Sequence, residues 1–259
     1  MKLTRRELLK HLGVLAGVTV IPACTTPTTK TTQSSPPDNL PQPYQNQAIA
    51  LLGATGLAGG YILNEALVQG YHVRALARTP EKLYAYKKFI TVVPGDARDP
   101  GSIQELLHGT DVVISAIGPI RSDGRSSMNI CSIATDHIIT AMRKIELKRY
   151  IVVSGAGVTV PGDSRDIKGR LIQTLARLGF SRELEDKQQE YTLLAASTID
   201  WTLIRCPVID PEAYHQDPVV TLDTPFAYHL NAGELARFIV DQIDSDDYSR
   251  KAPFLGSID

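Results

Sequence analysis

From about residue 47 onward, apolar residues fall into short β-branched runs separated by stretches with helical spacing. The runs predict strands at 48–52, 72–76, 91–93, 111–117, 150–154 and 198–204. The intervening periodicity predicts helices near 57–69, 80–88, 102–107, 128–145 and 183–196. Two of the runs, DVVISAI (111–117) and YIVVSG (150–155), are apolar at nearly every position, as strands covered on both faces must be. Alternation of such strands with helices predicts an α/β domain, a parallel sheet wound with helices on both sides. A last helix is announced by Asn231 and Glu234, an N-cap pairing just ahead of LARFIV.

Residues before 47 follow a different logic. Lys2, Arg5, Arg6 and Lys10 precede an apolar stretch, 12–23, which is too short to cross a bilayer, a task that takes about 20 residues. Thr4-Arg5-Arg6-Glu7-Leu8-Leu9-Lys10 resembles a bacterial twin-arginine signal, and Ile21-Pro22-Ala23-Cys24 resembles a lipoprotein cleavage box. The alternative is an ordinary amphipathic first helix. Residues 24–46 are Thr, Ser and Pro with few apolar positions, a composition that cannot bury enough surface to fold. The expected organisation is a signal peptide at 1–23, a tether at 24–46 spanning roughly 25 Å, and one domain at 47–259. Lipidation at Cys24 would then be the only link to a membrane, placing the domain on the extracytoplasmic side; without export it would be cytoplasmic.

Charge narrows the partners. With 27 Lys and Arg against 28 Asp and Glu, the net charge is −1, so there is no electrostatic case for nucleic acid or an anionic bilayer. Besides Cys24 the chain has only Cys131 and Cys206, too few for a disulfide framework and best read as small buried residues. Its six His show no metal-ligand spacing, and no metal is predicted.

The chemistry-bearing motif follows the first strand, which runs into GATGLAGG (53–60). Gly53 would end the strand in a tight turn, Gly56 would let the backbone approach a pyrophosphate, and Gly59 would let the helix pack close to the sheet. Thr55 and Leu57 belong to the same phosphate-facing turn, where helix-start N–H groups favour negative charge. Between Glu65 and Glu81 there is no Asp or Glu to bind a ribose 2′-OH. Arg78, with Arg74 and Lys82 nearby, suits a 2′-phosphate instead, so the expected nucleotide is NADP(H).

With its G-x-x-G-x-x-G spacing, the domain resembles the atypical and extended short-chain dehydrogenase/reductase superfamily. The likeness is greatest to its NAD(P)H-binding group of NmrA-like, flavin/biliverdin reductase B-like and isoflavone-reductase-like proteins. It rests also on VRALARTPEKL (73–83), GDARD (95–99), GTDVVISAIGP (109–119), YIVVSGAG (150–157) and DKQQEYTLLAASTIDWTLIRCP (186–207). The resemblance implies a Rossmann-type, doubly wound parallel sheet with a small C-terminal substrate-side region that includes 207–228. It places Asp96 at the adenine amino group and Ala97 against the ring; the alternative reading of Asp96 is a turn former after Gly95. Ala116, Ile117 and Pro207 complete the implied cofactor contacts.

The superfamily's catalytic pair is Tyr-x-x-x-Lys on the helix after the fifth strand. Tyr84-Ala85-Tyr86-Lys87-Lys88 has that spacing but follows the second strand, at the adenosine end. Measured back from Thr202-Leu203-Ile204-Arg205, the family lysine falls on Lys187, and the tyrosine position holds Glu183. Glu183 is either a pocket acid or a plain surface residue. The family's Ser/Thr position falls on Gly155 or Ala156, leaving Ser154 as the nearby hydroxyl. Lys187, Glu183 and Ser154 are therefore the catalytic candidates, with Lys187 expected to bind ribose. Two functions remain open. One is an NADPH-dependent reductase of a flat acceptor (flavin, quinone or enone), served by the apolar loop Pro207-Val208-Ile209 and the loop 119–127. The other is a non-catalytic NADP(H)-binding assembly factor or redox sensor.

Overall fold

The structure, a computed structural model, describes residues 36–37, 46–119, 128–164, 170, 174 and 181–258. The expected signal peptide, Cys24, nearly all of the tether and the loop residues 120–127 lie outside the described residues.

In chain order the elements are β1 (Ala48–Leu52), α1 (Leu57–Val68), β2 (His72–Ala77), a 3-10 segment (Pro80–Tyr86), β3 (Thr91–Pro94), α2 (Pro100–Leu107), β4 (Val112–Ser115) and α3 (Ile130–Lys144). They continue with β5 (Arg149–Gly155), α4 (Ser181–Ala196), β6 (Asp200–Cys206), β7 (Val208–Asp210), β8 (Val219–Thr221), β9 (His229–Asn231), α5 (Ala232–Asp241) and β10 (Phe254–Gly256). Eight strands form one sheet in the order β3-β2-β1-β4-β5-β6-β10-β8, with every neighbouring pair parallel except β10 and β8. The order reverses between β1 and β4, which is where a doubly wound sheet opens a crevice beyond its strand ends. β7 and β9 form a separate parallel pair.

The near-continuous apolar strands are buried on both faces. Ile49, Leu51, Ile114, Ile151 and Ile204 pack with α1, the 3-10 segment and α5 on one side. Ala50, Leu52, Val113, Val152 and Leu203 pack with α2, α3 and α4 on the other. Each fully buried Leu or Ile contributes about 1.5–3 kcal/mol relative to exposure, so these two layers supply most of the driving force.

Helix starts are set by particular side chains. Asp99 caps α2 by accepting from Gly101 and Ser102 amides at 3.1 and 2.9 Å, with Pro100 entering the first turn. At α5, Asn231 and Glu234 do pair, Nδ2 donating to Oε1 at 3.0 Å. The N-cap amide of Asn231, however, donates to Ser257 Oγ at 2.8 Å, and that hydroxyl in turn bonds Glu234. A distant serine thus relays the capping box.

Several predicted elements change. The helix expected at 80–88 is a 3-10 segment, closed by i,i+3 bonds such as Lys82 N to Thr79 O at 3.1 Å. The strand expected over 111–117 keeps only Val112–Ser115. Ala116 N still reaches Leu52 O at 3.0 Å, after which the chain turns away over Gly53. The strand expected at 198–204 lies instead at Asp200–Cys206, because Ser197 closes α4 by donating its N–H and hydroxyl to Leu194 O. The expected loop Pro207-Val208-Ile209 becomes strand from Val208 onward. β8, β9 and β10 were not anticipated; each is three residues long, too short for alternation to be read.

Arg205 holds this C-terminal edge together. Fully buried, it donates to Ala252 O at 2.8 Å, Leu222 O at 2.9 Å and the Asp163 carboxylate at 2.7 Å. Its guanidinium also lies 3.5 Å from the Phe254 ring centroid.

Candidate functional site

The crevice begins at the glycine turn. Gly53 has φ +86°, where L side chains rarely sit, and a Cβ there would meet Ala116 O at 2.6 Å. The turn therefore packs directly on the end of β4. A Cβ at Gly59 would lie 2.0 Å from Gly53 O, so α1 crosses against the turn at backbone contact. Gly56 differs from both, since its added Cβ would meet only Gly53 O, at 3.3 Å. Thr55, Gly56 and Leu57 are exposed. The first turn of α1 carries no acidic residue, and its N-cap makes no side-chain cap bond, which leaves the positive end of the helix facing outward.

At the end of β2, Arg78 is exposed, as is Lys82 on the 3-10 segment. Arg74, expected beside them, is committed elsewhere: it donates to Leu106 O at 3.1 Å and Glu105 O at 2.7 Å, and pairs with the Glu105 carboxylate at 3.0 Å. It closes the C-terminus of α2, where a cation is favoured. Tyr84 is exposed and receives Lys87 Nζ at 2.6 Å on the segment between β2 and β3. Asp96 accepts the Arg98 amide at 2.9 Å and pairs with the Arg98 guanidinium at 3.1 Å, so it performs the turn-forming role locally. Ala97 beside it is buried.

The ends of β4 and β5 carry the polar part of the site. Lys187, on α4, points its ammonium at backbone carbonyls, donating to Val153 O at 2.9 Å and Ile117 O at 3.4 Å. It also lies 3.4 Å from the Glu190 carboxylate. Burial works against the charge on Lys187, but the neighbouring Cys131 and Glu190 outweigh it and hold its value above the ordinary one. Glu190 is itself pushed up by burial, with Lys187 and Thr135 pulling it back. Such a lysine holds its proton and stands as a fixed cation. Ser154 is buried at the end of β5, and its Oγ has no hydrogen-bond partner among the described residues. Glu183 is half-buried in the first turn of α4. Pro207 follows directly on β6.

Sequence reasoning missed the network behind Lys187. Asp186 reaches across from α4 to the start of α3, accepting the Cys131 and Ser132 amides at 2.9 Å each. It caps a helix whose own N-cap residue, Asn129, makes no side-chain cap bond. Thr135 bridges the Tyr150 hydroxyl at 3.0 Å and Glu190 at 3.2 Å. Burial, with Glu190 adding to it, pushes the Tyr150 hydroxyl well up. The signal was present as DKQQE (186–190), whose i, i+1 and i+4 positions share one helix face only loosely. Both described cysteines are free and buried; burial pushes the Cys131 thiol well up and Cys206 up to about 12. Among the described residues no cluster of His, Cys, Asp and Glu could hold a metal ion, and no helix is long and apolar enough to cross a membrane.

Comparison with known proteins agrees with the fold. A family profile described as NAD(P)H-binding matches residues 53–246. The photosystem II assembly factor Ycf39 of Synechocystis sp. is 26% identical over 216 residues, covering 81% of this chain and 62% of that protein. The chain thus spans about three-fifths of that relative's length. Among solved structures, a Burkholderia pseudomallei chain named as a candidate exported protein is 27% identical, with a TM-score of 0.65 over 81% of this chain and 99% of that one. A wide-type short-chain dehydrogenase/reductase of Veillonella parvula, in complex with NADP, shares the fold at 18% identity and a TM-score of 0.66, over 82% and 94% of the two chains.

Proposed function

The chain belongs to the NAD(P)H-binding family, and on that footing we propose that it is an NADPH-dependent reductase of a flat acceptor such as a flavin, quinone or enone. One observation carries the reading: Lys187 reaches the carbonyl of Val153, the residue before Ser154, whose buried hydroxyl has no hydrogen-bond partner among the described residues, a polar pair suited to a ribose. A buried hydroxyl left unpaired costs about 1–3 kcal/mol, which a bound ligand oxygen would recover.

Gly53, Thr55, Gly56 and Leu57 would hold the pyrophosphate on the open N-terminus of α1, with Gly59 keeping the helix against the turn. Arg78 would pair with a 2′-phosphate, Asp96 and Ala97 would border the adenine, and Ala116, Ile117 and Pro207 would line the nicotinamide half. When bound, NADPH supplies a hydride to the acceptor. Lys187 orients ribose and keeps its proton, so it is a positioning cation rather than the acid.

A second reading is favoured by the Glu at position 183 and the missing hydroxyls at Gly155 and Ala156. On that reading the chain is a non-catalytic NADP(H)-binding assembly factor or redox sensor, in keeping with its similarity to a photosystem II assembly factor. Purifying the full chain and identifying the nucleotide that accompanies it tests what both readings share. Turnover of NADPH with a panel of quinones, flavins and enones supports the reductase; tight binding without turnover supports the second reading.

The N-terminal segment is part of the same proposal. Nicotinamide nucleotides are made in the cytoplasm, and the twin-arginine route carries folded proteins. A domain that must load its nucleotide before leaving would need that route, with Cys24 then fixing it to a membrane.

A further inference from the structure

A charge taken out of water needs a counter-charge, and the Lys187 side chain, 16% exposed, has one in Glu190, which is 0% exposed. We propose that Glu190 is the positioning residue of the nucleotide site: held by Thr135 and Tyr150, its carboxylate keeps Lys187 charged and fixed at the end of β5. The inference rests on the reading above, in which Lys187 meets the ribose, and adds to it the residue that sets the state of that lysine.

The hydrogen bonds around Glu190 have a direction. Lys187 Nζ lies 3.4 Å from Glu190 Oε2, one turn along α4. The other oxygen, Oε1, accepts the Thr135 hydroxyl at 3.2 Å. A threonine hydroxyl has a single proton, and here it goes to Glu190. The 3.0 Å bond between Thr135 and Tyr150 is therefore donated by the Tyr150 hydroxyl. Tyr150, Thr135 and Lys187 thus all direct hydrogens toward one carboxylate, the arrangement that suits an ionised group. Thr135 comes from α3, Tyr150 from β5 and the ion pair from α4, so the packing of this layer sets the geometry.

The other groups around Lys187 do not replace this counter-charge. Its remaining hydrogen bonds go to the carbonyls of Val153 at 2.9 Å and Ile117 at 3.4 Å, which are dipoles rather than charges. Cys131 on α3 and Cys206 on β6 interact with it, but burial pushes the Cys131 thiol well up and Cys206 up to about 12. Both are neutral near pH 7 and add to the hold on Lys187 only in strong alkali. The Tyr150 hydroxyl on β5 is likewise pushed well up by burial. Asp186, next to Lys187 on α4, engages both carboxylate oxygens with the Cys131 and Ser132 amides. Glu183, one turn earlier, is half-buried and makes no ion pair with Lys187 among the described residues. Without Glu190, burial pushes the ammonium toward the neutral amine.

The test uses the full chain, with and without NADPH, and the variant Glu190→Gln, which keeps the shape and removes the charge. In protein carrying isotope-labelled lysine, the Lys187 ε-carbon resonance is identified by its absence in Lys187→Met. Its titration midpoint should fall by about 1–3 on the pH scale in Glu190→Gln, the effect of one opposite charge at this range. NADPH affinity, measured by fluorescence titration from about pH 8 to about pH 10.5, should then fall about 10-fold further in Glu190→Gln than in wild type, as one charged hydrogen bond weakens. A merely structural role would lower affinity equally at every pH. Thr135→Val should move the midpoint the same way by a smaller amount and serves as the probe if Glu190→Gln does not fold; Thr135→Ser, which keeps the hydroxyl, should behave as wild type. Equal midpoints in wild type and Glu190→Gln overturn the role of Glu190 and leave the nucleotide reading standing. A lowered midpoint with an unchanged pH profile of NADPH binding overturns the link between this pair and the nucleotide. A wild-type chain that binds no NADP(H) overturns the nucleotide reading, and with it the role of Glu190 in binding.

Discussion

The glycine turn makes opposing demands at two positions three residues apart, and substitution separates them. A Cβ at Gly59 would lie 2.0 Å from Gly53 O, 2.5 Å from Gly53 C and 2.9 Å from Ala54 N, all of them backbone atoms. Relief therefore requires α1 to lift from the turn, disturbing the buried Ile62, Leu63, Ala66 and Leu67. Overpacking of that kind costs about 3 kcal/mol, partly offset by about 1 kcal/mol from replacing a helical glycine with alanine. The net loss of about 2 kcal/mol corresponds to a melting temperature lower by roughly 4–8 °C for a domain of this size. Gly56 has φ −89° and a single contact at 3.3 Å, so a side chain there is sterically cheap for the fold. Gly56→Val should melt within about 2 °C of wild type, a surface-sized effect. It should nevertheless weaken NADPH binding about 100-fold, as expected when charge-assisted bonds to a phosphate are lost. Circular dichroism melts and fluorescence titrations with NADPH measure both quantities on the same samples. A Gly59→Ala protein that melts like wild type refutes the packing argument. A folded Gly56→Val protein that binds NADPH normally refutes the location of the phosphate site.

Arg78→Ala should weaken NADPH binding about 10–100-fold, the value of one charged hydrogen-bonded pair, and leave NADH binding nearly unchanged; equal losses in titrations of both nucleotides would remove the role of Arg78. Lys187 is held above its ordinary value despite burial, through Cys131 and Glu190. A value raised on folding gives stability that is complete below the unfolded pKa of about 10.4 and is lost as pH rises through the folded one. Urea unfolding of wild type should therefore lose stability across that alkaline range more steeply than Lys187→Met, and parallel curves would contradict the assignment. If the N-terminus is a twin-arginine lipoprotein signal, changing Arg5 and Arg6 to Lys should retain the protein in the cytoplasm, and Cys24→Ser should release it from membranes in cell fractionation. Unchanged export of the double-Lys variant would remove that account.

Much of the fold was legible because its signals are local. Strands buried on both faces must be apolar at nearly every position, and 112–115 and 149–155 announce themselves that way. The glycine turn was readable for the same reason: its spacing, the strand before it and the helix after it lie within a dozen residues. Where sequence reading fell short, the deciding contact was short or remote. β8 and β10 are three residues each and owe their place to a sheet edge already built by β6. Arg74 looked available for a phosphate because the α2 carbonyls that claim it lie 31 and 32 residues away.

The sequence by itself determined the class of domain, the parallel winding and the position of the glycine turn. Those depend on side-chain periodicity, on glycine's freedom from a Cβ, and on spacing along one strand or one helix. Only the tertiary structure decided what Lys187 does, since its carbonyl partners Val153 and Ile117 lie 34 and 70 residues away. It also decided that Asp186 caps a helix 55 residues distant, and that Asp210 and His229 meet at all. Burial makes those contacts matter: a charge or amide removed from water must find a partner, and that partner is selected by packing in three dimensions rather than by proximity along the chain.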